Sequence, residues 1–286
     1  MRFTTNYRNH VVDLRNLNIQ LGNGCNGLIC LRGVNTQKPS LVWNPIMRQV
    51  VIVPKPATTV DDKKKVVAGF GHCGRTNRGN KWREIGDAPF PIPSTIPGFF
   101  INNTLHWNLD KNDQQNDYAD NNNSINDDQN NMSSNFELTC GFDFVEENFK
   151  AIKAPPIFSL HKKNNYHWSN LGVIGNCLSI CAIDAKAFRP DIQVWVMEEY
   201  GVPESWALRL SIRDPIIEWW NPYQCIQVIN ILDNEEILML CAHHFVLAYN
   251  LRERRFRKVA SFDFPVIAHV PSFVSLEDVL REHPWG

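Results

Sequence analysis

The sequence predicts an all-β fold assembled from a repeat of short antiparallel sheets, and three observations lead there. Nine Trp and sixteen Phe, with little helical periodicity before the C-terminal tail, favour many short strands over a helical bundle, because aromatic and β-branched side chains suit a pleated surface. Turn dipeptides sit between apolar runs: Asn26-Gly27 precedes Leu28-Ile29-Cys30-Leu31, and Leu41-Val42-Trp43 runs into Asn44-Pro45 ahead of Val50-Val51-Ile52-Val53. An Asn-Gly pair accepts the positive φ of a tight hairpin, whereas Pro45 disfavours continuing the strand that Trp43 ends. The third observation is a recurring phrase, in which an apolar strand and a tight turn lead to a strand ending in an aromatic plus Asp or Asn. A charged turn and one more strand complete it.

The clearest copies of the phrase span residues 41–54, 139–154, 192–212 and 245–259. The last three centre near Phe142, Trp195 and Tyr249, a step of about fifty residues that matches a kelch-like period. The expected architecture is a kelch-like β-propeller, or a propeller-like repeat of short antiparallel sheets. Each later copy has a hairpin in front of it: Asn102-Asn103 inside 100–107, Gly175-Asn176 inside 173–180, and Asp233-Asn234 inside 231–240. Trp43, Trp107, Trp195 and Trp206 read as core fillers at equivalent places in the repeats.

Length and charge narrow the function classes. A chain of 286 residues holds one large β domain or two small ones, and one is the simpler reading. The net charge of −1 offers no electrostatic argument for nucleic acid or an acidic membrane surface. Residues 1–10 lack the apolar core of a signal peptide, and no apolar run is long enough to span a bilayer. A cytoplasmic or nuclear location is expected. The eight cysteines are then thiols, and Cys25, Cys30, Cys140, Cys177, Cys181 and Cys241 read as small core residues. Sequons such as Asn102-Asn103-Thr104 carry no meaning in that compartment.

Signatures of catalysis are missing: there is no Gly-rich phosphate loop, His-Glu-x-x-His, Gly-x-Ser-x-Gly or Cys-x-x-Cys. His243-His244 follows Cys241, and His72-Cys73 lies in a short turn. Adjacent strand residues point to opposite faces, so the His pair reads as one core and one solvent imidazole and not as metal ligands. Glu198-Glu199 and Glu235-Glu236 read as solvated turn carboxylates, not a glycosidase pair. No catalytic, cofactor or metal residue is assigned, and no cofactor is expected. Trp219-Trp220-Asn221-Pro222-Tyr223 lies between repeats without strand alternation. Two readings stand: aromatic packing beneath a loop, or a rim recognition site in which Trp219, Trp220 and Tyr223 bind a partner.

These phrases also resemble a known family. The runs Asn26-Gly27-Leu28-Ile29-Cys30-Leu31 and Val42-Trp43-Asn44-Pro45 with Arg48, the "NNTLHW" of 102–107, the "GNCLSICA" of 175–182, the "IQVWVMEEYGVPESW" of 192–206 and the "NEEILML" of 234–240 follow one another as in the F-box-associated domain of plant F-box and F-box–kelch proteins. The resemblance covers residues 22–276, and 270–276 looks like that domain's final strand. It implies a protein-interaction module, the substrate-recognition part of an SCF-type ubiquitin-ligase receptor, which captures a protein target and performs no chemistry. Residues 1–21 read as a strand-like lead-in without a recognisable F-box, and 277–286 as a tail. Docking to the Skp adaptor and cullin is therefore expected only if an F-box is supplied upstream. A propeller-type glycan-binding protein or carbohydrate-active enzyme is the alternative.

Two departures from the family pattern stand out. Only His72 to Asn80 separates Gly69-Phe70-Gly71 from Lys81-Trp82-Arg83, so about two strands of the family pattern are absent and one sheet, near 66–86, is expected to be deficient. A reduced propeller, a degenerate gene copy or a mis-spliced gene model each accounts for it. Residues 110–135 are almost wholly Asn, Asp, Gln and Ser, too polar to offset the entropy of ordering, and read as a disordered inserted loop.

Overall fold

The structure is a computed structural model that describes residues 2–4, 11–13, 19–33, 40–53, 69–71, 85–89, 92, 98–109, 137–155, 158, 166–184, 191–213, 226–232, 234, 236–242, 244–263 and 266–276. It is nearly all β. A two-stranded ribbon of β1 (Arg2–Thr4) and β2 (Val11–Asp13) comes first. Four antiparallel meanders of four strands follow. The first contains β3 (Ile19–Cys25), β4 (Leu28–Gly33), β5 (Ser40–Asn44) and β6 (Gln49–Val53), and the second β7 (Phe99–Ile101), β8 (Thr104–Asn108), β9 (Glu137–Asp143) and β10 (Asn148–Lys153). The third contains β11 (Tyr166–Ile174), β12 (Cys177–Asp184), β13 (Asp191–Met197) and β14 (Trp206–Arg213), and the fourth β15 (Ile226–Ile231), β16 (Glu236–Cys241), β17 (Phe245–Asn250) and β18 (Arg255–Ser261). A parallel pairing of Gly24 with Phe99 joins the first two meanders into one eight-stranded sheet. The result is the propeller-like repeat of sheets that the sequence predicts.

Local chemistry explains the turns. Asn26-Gly27, Asn102-Asn103 and Gly175-Asn176 all have positive φ, between 48° and 76°, as a two-residue type I′ hairpin requires. Between the third and fourth strands the recurring Asx residue does the work. Asn44 Oδ1 accepts from Ile46 and Met47 amides, Asp143 Oδ1 from Val145 and Glu146, and Asn250 Oδ1 from Arg252 and Glu253. Each of these turns ends in a left-handed residue, Arg48, Glu147 or Arg254. The third meander departs, with a longer loop that contains a 3-10 turn at Pro203–Ser205.

The core lies between successive meanders. Cys181, Ile183, Ile192 and Val194 of the third face Val228, Ile237, Met239 and Leu247 of the fourth. Ile101 and Ile152 of the second pack with Leu171, Leu178, Ile180, Met197 and Trp206 of the third. On β13 this buries both faces, since Ile192 and Val194 turn to the fourth meander while Met197 turns to the second. Gly69-Phe70-Gly71 is drawn into the same layering: Phe70 donates its amide to Asn23 Oδ1 and accepts from Asn23 Nδ2. A Cβ on Gly71 would stand 2.5 Å from the Phe144 ring, so that close approach needs glycine.

Three expectations are revised. The four tryptophans do not share one repeated place: Trp43 and Trp195 lie on third strands, Trp107 on a second and Trp206 on a fourth. Only Trp107 and Trp206 are buried, Trp195 being half-buried with its indole N–H given to Gln193 Oε1. Residues 270–275 form no strand but a strap across the first meander, held by side-chain amides. Asn44 Nδ2 donates to Ser272 O and Val274 O, and Gln49 Oε1 accepts from the Leu276 amide. Of the cysteines, Cys25, Cys30, Cys140, Cys181 and Cys241 are buried thiols and Cys177 is half-buried. The insertion at 110–135 and most of the segment at 66–86 lie outside the described residues.

Candidate functional site

The second and third meanders are joined by a buried polar seam. Strand alternation points His106 of β8 inward, where it is fully buried. Its Nδ1 lies 3.0 Å from Thr139 Oγ1 on β9 and its Nε2 2.9 Å from the Tyr200 hydroxyl, in the third meander's loop. A neutral imidazole offers one N–H and one lone pair, and each hydroxyl can complement either. The rings of His106 and Tyr200 also meet edge to face at 5.7 Å. Beside them Asp143 accepts from Lys150 Nζ at 2.6 Å. Burial would raise the Asp143 carboxyl, but Lys150 and the Glu146 and Val145 amides together hold it below its ordinary value. Burial raises the Tyr200 hydroxyl as well. Further along the same interface Asn108 Nδ2 donates to Asn170 Oδ1, and Trp206 Nε1 to Lys153 O.

Burial pushes the His106 imidazole down from 6.5 to about 4, against the smaller opposing pull of Asp143. The unfolded chain then takes up this proton first as pH falls, so the stability held by neutral His106 is complete above about 6.5 and is lost progressively toward 4. Its size is on the order of 3 kcal/mol at most. The depressed Asp143 acts lower, its contribution being lost only as pH falls below the ordinary carboxylate range. His106→Gln keeps a donor and an acceptor without titrating, and is expected to flatten the pH dependence of the urea midpoint between pH 6.5 and 4. An unchanged slope in that variant would assign the acid sensitivity elsewhere.

The seam sets the position of two neighbouring turns. In a meander the first and third turns emerge at one end. The third turns expose aliphatic side chains there: Ile46 and Met47, Val145, Val202, and Leu251, one meander after another. The strap adds Val270 and Phe273, 79% and 81% exposed. No motif marked this rim, because each of these residues is an ordinary strand or turn residue in the sequence. The periodic phrase was the signal that could have found it.

The residues singled out from sequence fare differently. Trp219, Trp220 and Tyr223 lie outside the described residues, as do His72, Cys73, Glu235 and His243. His244 sits at a turn with Nδ1 3.2 Å from Phe262 O. Glu198 pairs with Arg209, and Glu236 with Arg257 and Asn234. The Arg257 contact lowers the Glu236 carboxyl. Glu198 is thus an exposed, paired turn carboxylate as expected, whereas Glu236 opens β16 and is half-buried. Among the described residues no group of three His, Cys, Asp or Glu is placed to hold a metal ion, and no helix is long and apolar enough to cross a membrane.

Sheet repeat, buried seam and exposed turns together define a β-repeat protein. The chain is homologous to F-box proteins of Arabidopsis thaliana. It is 24% identical over 300 residues to F-box protein At3g07870, covering 84% of this chain and 66% of that protein. It is 23% identical over 215 residues to F-box/kelch-repeat protein At3g23880, covering 66% of this chain and 51% of that protein. The chain thus spans between half and two thirds of the length of these relatives. No family model matches it.

Proposed function

We propose that the chain is a protein-interaction module of the kind that recognises substrates in SCF-type ubiquitin ligases. The observation that carries this reading is the similarity to F-box proteins along most of the chain. The exposed aliphatic side chains of the third turns, Ile46, Met47, Val145, Val202 and Leu251, with Val270 and Phe273 of the strap, support it, because exposed apolar groups at turns are available to a protein partner. In this reading the module is non-enzymatic, works in the cytoplasm or nucleus, and captures a protein target. The Skp adaptor and cullin are engaged only if an F-box is supplied upstream.

A pull-down with purified Skp adaptor tests the division of labour. The chain alone is expected to leave the adaptor in the flow-through, and a fusion carrying an F-box ahead of Met1 is expected to retain it. Retention by the unfused chain would place an adaptor-docking element within these residues and overturn the assignment. A glycan array, expected to stay blank, tests the sugar-binding alternative.

A further inference from the structure

One of the four edges formed by the meanders' fourth strands is unlike the others. Outer strands of β-sheets present unpaired amides and carbonyls, and proteins guard them with charge. Here β10 carries Lys150 and Lys153, β14 carries Arg209 and Arg213, and β18 carries Arg255, Arg257 and Lys258, all exposed. The first strands β11 and β15 lie against each other, and the remaining fourth strand, β6, reads Gln49-Val50-Val51-Ile52-Val53 and has no charge. Its one polar side chain is engaged with the strap through Leu276 and Ser275. Ile52 is 44% exposed, and β6 stands at the end of the eight-stranded sheet with no further strand paired to it among the described residues. Uncharged, β-branched and open, it is the most prone of the four fourth-strand edges to pair with another chain.

The β1–β2 ribbon lies where that hazard is. Its strand β1 runs beside β6 without entering the β6 ladder. Two strands of three residues each are too short to be stable unsupported, so the ribbon needs a surface as much as the edge needs a cover. We infer that the N-terminal ribbon guards the β6 edge, and that removing it frees β6 to pair with β6 of a second copy. The interaction surface is the β6 edge, its resident occupant is the ribbon, and it fits an extended uncharged strand.

The test uses the full chain. Val12 pairs with Phe3 in the ribbon, and Val12→Pro removes an amide there and disrupts the pairing. By light scattering the unaltered chain is expected to be monomeric and Val12→Pro to shift to dimers or larger species. Adding Ile52→Lys to Val12→Pro is expected to restore the monomer. Hydrogen exchange should show the amides of 49–53 that point away from β5 protected in the associated Val12→Pro variant and unprotected in the double variant. A monomeric Val12→Pro variant would overturn the inference. So would association that Ile52→Lys leaves intact, or an unaltered chain already assembled through β6. Loss of the β circular-dichroism spectrum in Val12→Pro would overturn it too, since a guard is dispensable to the sheets it covers.

Discussion

Trp206→Ala is expected to lower the free energy of unfolding by about 3–5 kcal/mol, the range for truncating a buried aromatic. Trp206 is 6% exposed and opens β14 among Leu171, Leu178, Ile180 and Met197, with Ile101 and Ile152 reaching it from the second meander. Its indole N–H is donated to Lys153 O across the same boundary. The substitution thus removes a large apolar body and a hydrogen bond between two sheets at once. Trp206→Phe keeps most of the body and loses the bond, and is expected to cost about 1 kcal/mol for that bond plus a smaller packing loss. Trp195→Ala is the control. Although it lies on the central phrase of the third meander, Trp195 is half-buried, and its truncation is expected to cost roughly 1–2 kcal/mol. Urea midpoints for the three variants settle the order. Equal losses for Trp195→Ala and Trp206→Ala would mean that the β13 face turned to the second meander is as deeply buried as the β14 end.

The difference between these two tryptophans shows where sequence reading stops. Asn26-Gly27, Asn102-Asn103 and Gly175-Asn176 announce their hairpins because the requirement for positive φ acts within two residues. The aromatic-Asx phrase announces the third turn for the same reason: the Asx oxygen caps amides two and three positions on. A period of two tells which residues share a face, but not which meander that face will meet. Trp195 and Trp206 look alike in the text and differ only in what packs over them. The polar seam is illegible for the same reason, His106 and Tyr200 being 94 positions apart on different meanders. Nothing local marks an inward-facing histidine as hydrogen-bonded on both nitrogens. The segment 270–276 reads as a final strand, and its strap form was not legible, because it is held by the side chains of Asn44 and Gln49 and not by a strand's backbone.

Asn44 therefore bears two duties where its counterpart Asn250 bears one, and its loss is expected to exceed that of Asn250. The side chain is fully buried. Its oxygen caps the Ile46 and Met47 amides, as Asn250 does for Arg252 and Glu253, while its Nδ2 holds the Ser272 and Val274 carbonyls of the strap. Asn250→Ala removes only a solvent-exposed turn cap and is expected to cost about 1 kcal/mol. Asn44→Ala strands two amides and two carbonyls, and is expected to cost about 2–4 kcal/mol. The strap then loses its main tie beside the Gly27 turn, where a Gly27 Cβ would already stand 2.1 Å from Ser272 Cβ, and beside Leu276, which packs on Leu28 and Val42. Cleavage in 262–276 by limited proteolysis is expected to accelerate in Asn44→Ala and to stay at the unaltered rate in Asn250→Ala. Asn44→Asp separates the two duties, since a carboxylate still caps the turn but faces the strap's carbonyls with negative charge. It should release the strap at least as readily as Asn44→Ala. A strap equally protected in all three variants would show that Leu276 and Gln49 hold it without Asn44.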